Sequence, residues 1–331
     1  MNVDSRPKFH RTRTSSPSPL NGLRMQSRRE KEPALAEVRG ENGDWLPTRR
    51  EFIAATATAA VAATLPATAA EAKPAALIDT NVSLGRWPFR RVPLDETSAL
   101  VAKLRAHGVT QAWAGSFDAL LHKDLSAVNA RLAEDCRRRG RGLLVPFGTV
   151  NPTLPGWEED LRRCHEEHEM PGLRLYPNYH SYTIDAPAFA RLLELATRRK
   201  LLVQIACGLE DDRTQHLRLT VPPVDMLPLI GLLEKTPAAR VHLLNAFRTL
   251  RGKPVLDLAA HGTRFEVATL EGVQGIANLL RQIPGDRLCF GSHAPFFYFE
   301  SAKLKLQESV LSEAQMKAVC AGNARRLLAT A

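Results

Sequence analysis

The chain has 331 residues, 44% hydrophobic and 24% charged, enough apolar material for a large core; wholesale disorder, collagen, coiled coil and a small disulfide scaffold are excluded. Its 45 basic and 35 acidic side chains give a net charge of +10, but residues 1–50 hold 11 basic and 6 acidic ones, so half of the excess sits there. The basic runs Arg137 to Arg139 and Arg198 to Lys200 fall at expected helix ends, where cations offset the macrodipole, and no nucleic-acid partner is expected.

Residues 1–47 are rich in Ser, Pro, Arg and Glu without apolar periodicity, and are expected to be a disordered leader. Thr48-Arg49-Arg50-Glu51-Phe52-Ile53 then opens an almost charge-free Ala-rich stretch that ends near Ala67-Thr68-Ala69. Residues 48–70 resemble a twin-arginine export signal, which implies the twin-arginine machinery as a partner and a periplasmic or extracellular location. The stretch is too weakly hydrophobic for a stable membrane span, and the long segment before the arginine pair leaves Met25 open as an alternative start. Cys136, Cys164, Cys207, Cys289 and Cys320 are odd in number and lack any Cys-x-x-Cys, so no disulfide framework or zinc ribbon is encoded.

From residue 75 onward, short Val/Ile/Leu runs alternate with helical patterns. Strands are expected over 76–82, 111–117, 143–150, 172–176, 201–206, 240–246, 264–270 and 287–292, with helices over 96–107, 125–139, 157–168, 186–199, 224–234 and 272–282. Nearly continuous apolar strands are buried on both faces, as parallel strands under helices are, and eight such units over 71–331 predict an α/β fold, a single (β/α)8 TIM barrel. An open doubly wound sheet fits less well, because the Gly-rich fingerprint after the first strand is missing.

Barrel chemistry sits at the carboxyl ends of the strands, and these ends are polar here. They carry Asp79, Asn81 and Ser83, with Arg86 just beyond; Arg174, Tyr176 and His180; Gln204, then Glu210 to Arg213; His242 and Asn245; Thr269 and Glu271; and Ser292 with His293. The run His165-Glu166-Glu167-His168 lacks the spacing of a metal-binding helix and reads as helix surface.

Leu77-Ile78-Asp79, Gly172-Leu173-Arg174-Leu175-Tyr176-Pro177, Phe290-Gly291-Ser292-His293-Ala294-Pro295-Phe296 and the closing Gly322-Asn323-Ala324-Arg325-Arg326-Leu327-Leu328 together resemble the amidohydrolase-related family of barrel hydrolases and decarboxylases. The resemblance implies a metal held by His-x-His at strand one, a His at each of strands five and six, and an Asp at strand eight. Those positions hold Asn81-Val82-Ser83, Ala206, Asn245 and His293. Amide and hydroxyl oxygens are poor zinc ligands, so no metal or other cofactor is expected.

The favoured reading is then a metal-independent hydrolase acting on a small carboxylated lactone, ester or amide. Its catalytic groups would be His293 as base with His180 and Tyr176 polarising the carbonyl, and its substrate-binding groups Arg174, Arg86, Arg213, Asn81, Ser83 and Asn245. Two alternatives stand beside it: a metal-assisted decarboxylase or hydrolase using substitute ligands such as His293, His180 and Glu271, and a non-catalytic exported binding protein. Homo-oligomerisation is left open.

Overall fold

The computed structural model describes residues 76–329. The leader, the export signal and the first residues of the 71–331 unit lie outside the described residues.

Eight strands follow in chain order, each overlapping the apolar run that predicts it: β1 (Leu77–Leu84), β2 (Val109–Ser116), β3 (Leu144–Pro146), β4 (Gly172–Leu175), β5 (Leu202–Ala206), β6 (Arg240–Leu244), β7 (Arg264–Glu266) and β8 (Leu288–Cys289). Between and after them run α1 (Thr97–Ala106), α2 (Leu125–Gly140), α3 (Trp157–Glu166), α4 (Pro187–Arg198), α5 (Leu229–Lys235), α6 (Lys253–Ala260), α7 (Gly275–Leu280), α8 (Phe299–Glu308), α9 (Glu313–Lys317) and α10 (Asn323–Ala329). The helix missing from the sequence reading between β6 and β7 is α6, whose eight residues follow Gly252 and begin Lys-Pro, a start that reads as a turn.

The strands form two parallel ladders, β1-β2-β3 and β4 through β8. Single-residue bridges from Gly148 to Leu173 and from Val82 to Ala294 join them, which closes the (β/α)8 barrel. The longer helices pack on the outside through apolar stripes. In α4 the stripe is Phe189, Leu192, Leu193 and Ala196, all buried, each worth roughly 1.5–3 kcal/mol of apolar burial for the larger side chains.

Inside, the lumen is layered. At its base Ile78, Trp113, Phe147, Leu202 and Cys289 pack together, with Trp113 stacked on Phe147 at 5.2 Å. Helix α10 plugs this end through Ala324 and Leu327, and Asn323 Nδ2 donates to the carbonyls of Gly285 at 2.8 Å and Leu288 at 2.6 Å. That is the structural work of the closing Gly-Asn-Ala motif. Above the base lies a polar layer in which Arg174 of β4 is paired in register with Gln204 of β5, and Gln204 with His242 of β6.

All five cysteines are free, four of them buried. Among the described residues no helix is long and apolar enough to cross a membrane.

Candidate active site

The polar strand ends converge at the carboxyl face. Asp79 of β1 is fully buried; its Oδ1 accepts from Asn81 N at 3.1 Å and Ser292 N at 2.9 Å, and its Oδ2 takes the Ser292 hydroxyl. Burial pushes its carboxyl up to about 6 against those hydrogen bonds. Strand parity would let only one of Ser292 and His293 face the lumen, but β8 ends at Cys289, so both turn into the mouth.

Asn81 Nδ2 donates to Asn245 Oδ1 at 3.0 Å and to Glu266 Oε1 at 3.2 Å. Asn245 begins the loop after β6 in the left-handed region, φ 56°, which asparagine tolerates. Its backbone N–H donates to Glu266 Oε1 at 2.6 Å and its Nδ2 to Gly208 O at 2.9 Å. His293, φ 58°, is stacked on Phe296 at 5.3 Å, and its Nε2 lies 3.0 Å from Leu209 O, so that nitrogen carries the proton. Burial pushes His293 down to about 4, with Arg174 and Arg248 adding to the effect. The pKa near 6.5 that recommends His293 as a base is therefore not the one it has in the fold. Asn245 and His293 pin consecutive carbonyls of the β5 exit loop, and Ser83 spends its backbone N–H on Ala294 O at 2.9 Å.

Glu266, the last residue of β7, is the hub of this network and is absent from the sequence-based site. Both its oxygens accept: Oε1 from Asn81 and Asn245, and Oε2 from Ala268 N. Burial pushes the carboxyl up to about 7 while those donors oppose it. Glu266→Gln is expected to destabilise the protein by about 2–3 kcal/mol, because either amide rotamer turns a donor toward an N–H group. Urea unfolding would measure this; a loss under about 0.5 kcal/mol would remove Glu266 as the hub.

Arg174 lies lower in the lumen. Its guanidinium donates to Val82 O at 2.6 Å, Trp113 O at 2.9 Å and Gln204 Oε1 at 2.9 Å, with Thr80 O at 3.4 Å. Tyr176 stands above it, and Gly115 makes the room: a Cβ there would fall 2.6 Å from Arg174 Cδ and 2.8 Å from Tyr176 Oη. His180 is buried beside Tyr176 with Nε2 at 2.8 Å from Ala119 O, and desolvation lowers its pKa. Arg86 is exposed and paired with Glu96 at 2.9 Å, and Arg213 is exposed and paired with Asp211 at 2.7 Å. Glu271 is also exposed, 3.9 Å from Arg251.

A narrow pocket, with about 20 Å³ of free space inside it, opens over the ends of β4 to β7. Tyr176, Tyr179 and Phe297 give it aromatic walls, Asn245 and Thr269 are polar contacts, and the 208–224 loop closes one side. Arg248 is the one cation and Glu210 the one carboxyl among its lining residues. Arg248 Nη1 is 2.9 Å from Asp211 Oδ2. Glu210 is buried and 3.2 Å from Arg90; burial pushes its carboxyl up and Arg90 opposes. Tyr176 and Asn245 are thus the sequence-predicted residues that reach this cavity, while Arg248 takes the wall position that a substrate-binding cation requires.

The amidohydrolase family model matches residues 87–330. The chain belongs to the amidohydrolase family. Solved structures with this amidohydrolase barrel include a 2,6-dihydroxybenzoate decarboxylase from Rhizobium, 15% identical over 77% of this chain and 98% of that one, TM-score 0.60. A dihydroxybenzoic acid decarboxylase from Polaromonas with bound manganese and 2-nitroresorcinol is 17% identical over 77% and 97%, TM-score 0.61. A 5-carboxyvanillate decarboxylase from Novosphingobium aromaticivorans, also with bound manganese, is 13% identical over 77% and 97%, TM-score 0.62. At these identities the likeness shows the fold. No curated protein sequence matches the chain significantly.

The manganese bound in the Polaromonas and Novosphingobium decarboxylases overturns the expectation that this chemistry goes without a cofactor. No three His, Cys, Asp or Glu side chains gather to hold an ion among the described residues, and Asn81 Nδ2, Asn245 and Glu266 Oε1 are bonded to one another. The substitutes named from sequence do not assemble either, since Glu271 is exposed and His180 and His293 are each bonded to a backbone carbonyl. The donor set does not fit a divalent metal in this arrangement.

Proposed function

We propose that this amidohydrolase acts on a small aromatic carboxylic acid and removes its carboxyl group as carbon dioxide. The observation that carries the reading is the cavity at the barrel mouth, with aromatic walls, one guanidinium and one buried carboxyl. Tyr176, Tyr179 and Phe297 suit an aromatic ring by edge or face contact, and Arg248 suits its carboxylate by paired N–H donors. The decarboxylases that share the fold support this chemistry over lactone hydrolysis.

Glu210 is the one carboxyl among the pocket's lining residues placed to deliver a proton. A carboxyl raised by burial stays protonated further toward neutral pH, and from the cavity wall it can protonate the ring carbon that bears the carboxylate. The carbon–carbon bond then breaks, its electron pair restores the ring, and carbon dioxide leaves uncharged. The negative charge passes from the substrate carboxylate to Glu210, where Arg90 at 3.2 Å offsets it, and solvent returns the proton for the next turnover.

The test is a panel of hydroxybenzoates incubated with the full chain, with and without added manganese, following carbon dioxide release. Turnover of at least one acid is expected, with Arg248→Gln raising KM at least about tenfold and Glu210→Gln lowering kcat about 100-fold. Cleavage of lactones without carbon dioxide release from any acid would sink the proposal and restore hydrolysis.

A further inference from the structure

Asp211 stands beside the cavity wall between two arginines. Its Oδ2 lies 2.9 Å from Arg248 Nη1. On its other side it accepts from Arg213 three times, from the backbone N at 3.0 Å, from Nε at 2.9 Å and from Nη2 at 2.7 Å. Asp211 is also the N-terminal cap of the short turn Asp212–Thr214, so its carboxylate is fixed in place whether or not Arg248 is attached. Arg213 projects into solvent and Arg248 is about one-third exposed, at 34%.

We propose that Asp211 is a placeholder for the ligand's carboxylate: it occupies Arg248 in the empty cavity and yields it when a ligand carboxylate arrives. This rests on the reading of Arg248 as the carboxylate's partner. Exchange is cheap because Asp211 keeps its bidentate pair with Arg213, so neither carboxylate is left without a cation. The placeholder also sets specificity. A neutral amide of the same shape cannot displace an anion from a guanidinium, whereas a carboxylate can, and Arg248 never stands as a bare charge that would attract unselected anions. Arg213, which is too far into solvent to line the cavity, gains a role here as the group that retains Asp211.

The experiment is calorimetric titration of the full chain with benzoate and with benzamide. Asp211→Asn removes the competing anion and should tighten benzoate about two- to fivefold, the worth of one exposed ion pair, with benzamide unchanged. Arg213→Ala should weaken benzoate by about twofold, because Asp211, deprived of its second cation, holds Arg248 more firmly. That response from a residue outside the cavity separates a placeholder from a simple structural support, and matched thermal melts check that both variants fold. Arg248→Gln should abolish the preference for benzoate over benzamide. If Arg248→Gln weakens benzoate but Asp211→Asn weakens it too or leaves it unchanged, Asp211 only positions Arg248 and the inference fails alone. If Arg248→Gln leaves benzoate untouched, or benzoate does not bind any form, the underlying reading of the cavity fails and takes the inference with it.

Discussion

Arg174→Met is expected to lower the stability of the barrel by about 3–5 kcal/mol, the largest effect of any single substitution considered for this protein. The side chain is 1% exposed and its guanidinium ties together three strands, through Val82 O and Thr80 O of β1, Trp113 O of β2 and the Gln204 amide oxygen of β5. Methionine matches much of the length and supplies no donor, so Val82 O, Trp113 O and the Gln204 amide oxygen lose the guanidinium in a dry lumen, while Thr80 O keeps Gln204 Nε2 at 2.9 Å. Asp79 and Glu266 would also lose the cation that offsets their charge at a distance. Urea denaturation gives the number. A cost below about 1 kcal/mol would mean that water enters and replaces the guanidinium.

The second large effect is a loss of stability in acid that traces to His242. This imidazole is fully buried, edge-on to Trp113 at 5.8 Å, and neither ring nitrogen has a hydrogen-bond partner. Desolvation, with Arg174 and Arg264 adding repulsion, pushes it from 6.5 down to about 3, and the Phe265 backbone opposes only weakly. Between those values the unfolded chain binds a proton that the folded chain refuses, so stability falls as the pH drops through 6.5. The full loss is about 4–5 kcal/mol by pH 3, with about 2–3 kcal/mol already gone at pH 4.5. His242→Leu should remove this share of the slope, read as the difference between wild type and variant in urea at pH 7.5 and 4.5. Parallel slopes would show that His242 keeps a normal pKa.

The barrel is legible in the sequence because strands buried on both faces must be apolar, and short Val/Ile/Leu runs at regular spacing admit few other folds. Site residues are legible where a polar side chain interrupts such a run, as Asp79, Asn81 and Arg174 do. The same signal marks Glu266 in Arg-Phe-Glu-Val, but the apolar run continues to Leu270 and points to Thr269 and Glu271 as the polar strand end. The strand stops at Glu266, so the hub lies four residues before the expected end. Arg86 and Arg213 illustrate the opposite limit. Both are near strand ends in sequence, yet Glu96 and Asp211 neutralise them locally, and only coordinates distinguish a cation facing a cavity from one facing its own loop. Arg248 carries no sequence signal beyond its place after β6.

The plug at the base of the barrel decides the traffic of small molecules. Among the described residues α10 is seated under Trp113 and Phe147, so on the proposed function a ligand enters over Tyr179 and Phe297 and leaves by the same doorway. Substrate and product would then compete for one passage, which the 208–224 loop borders.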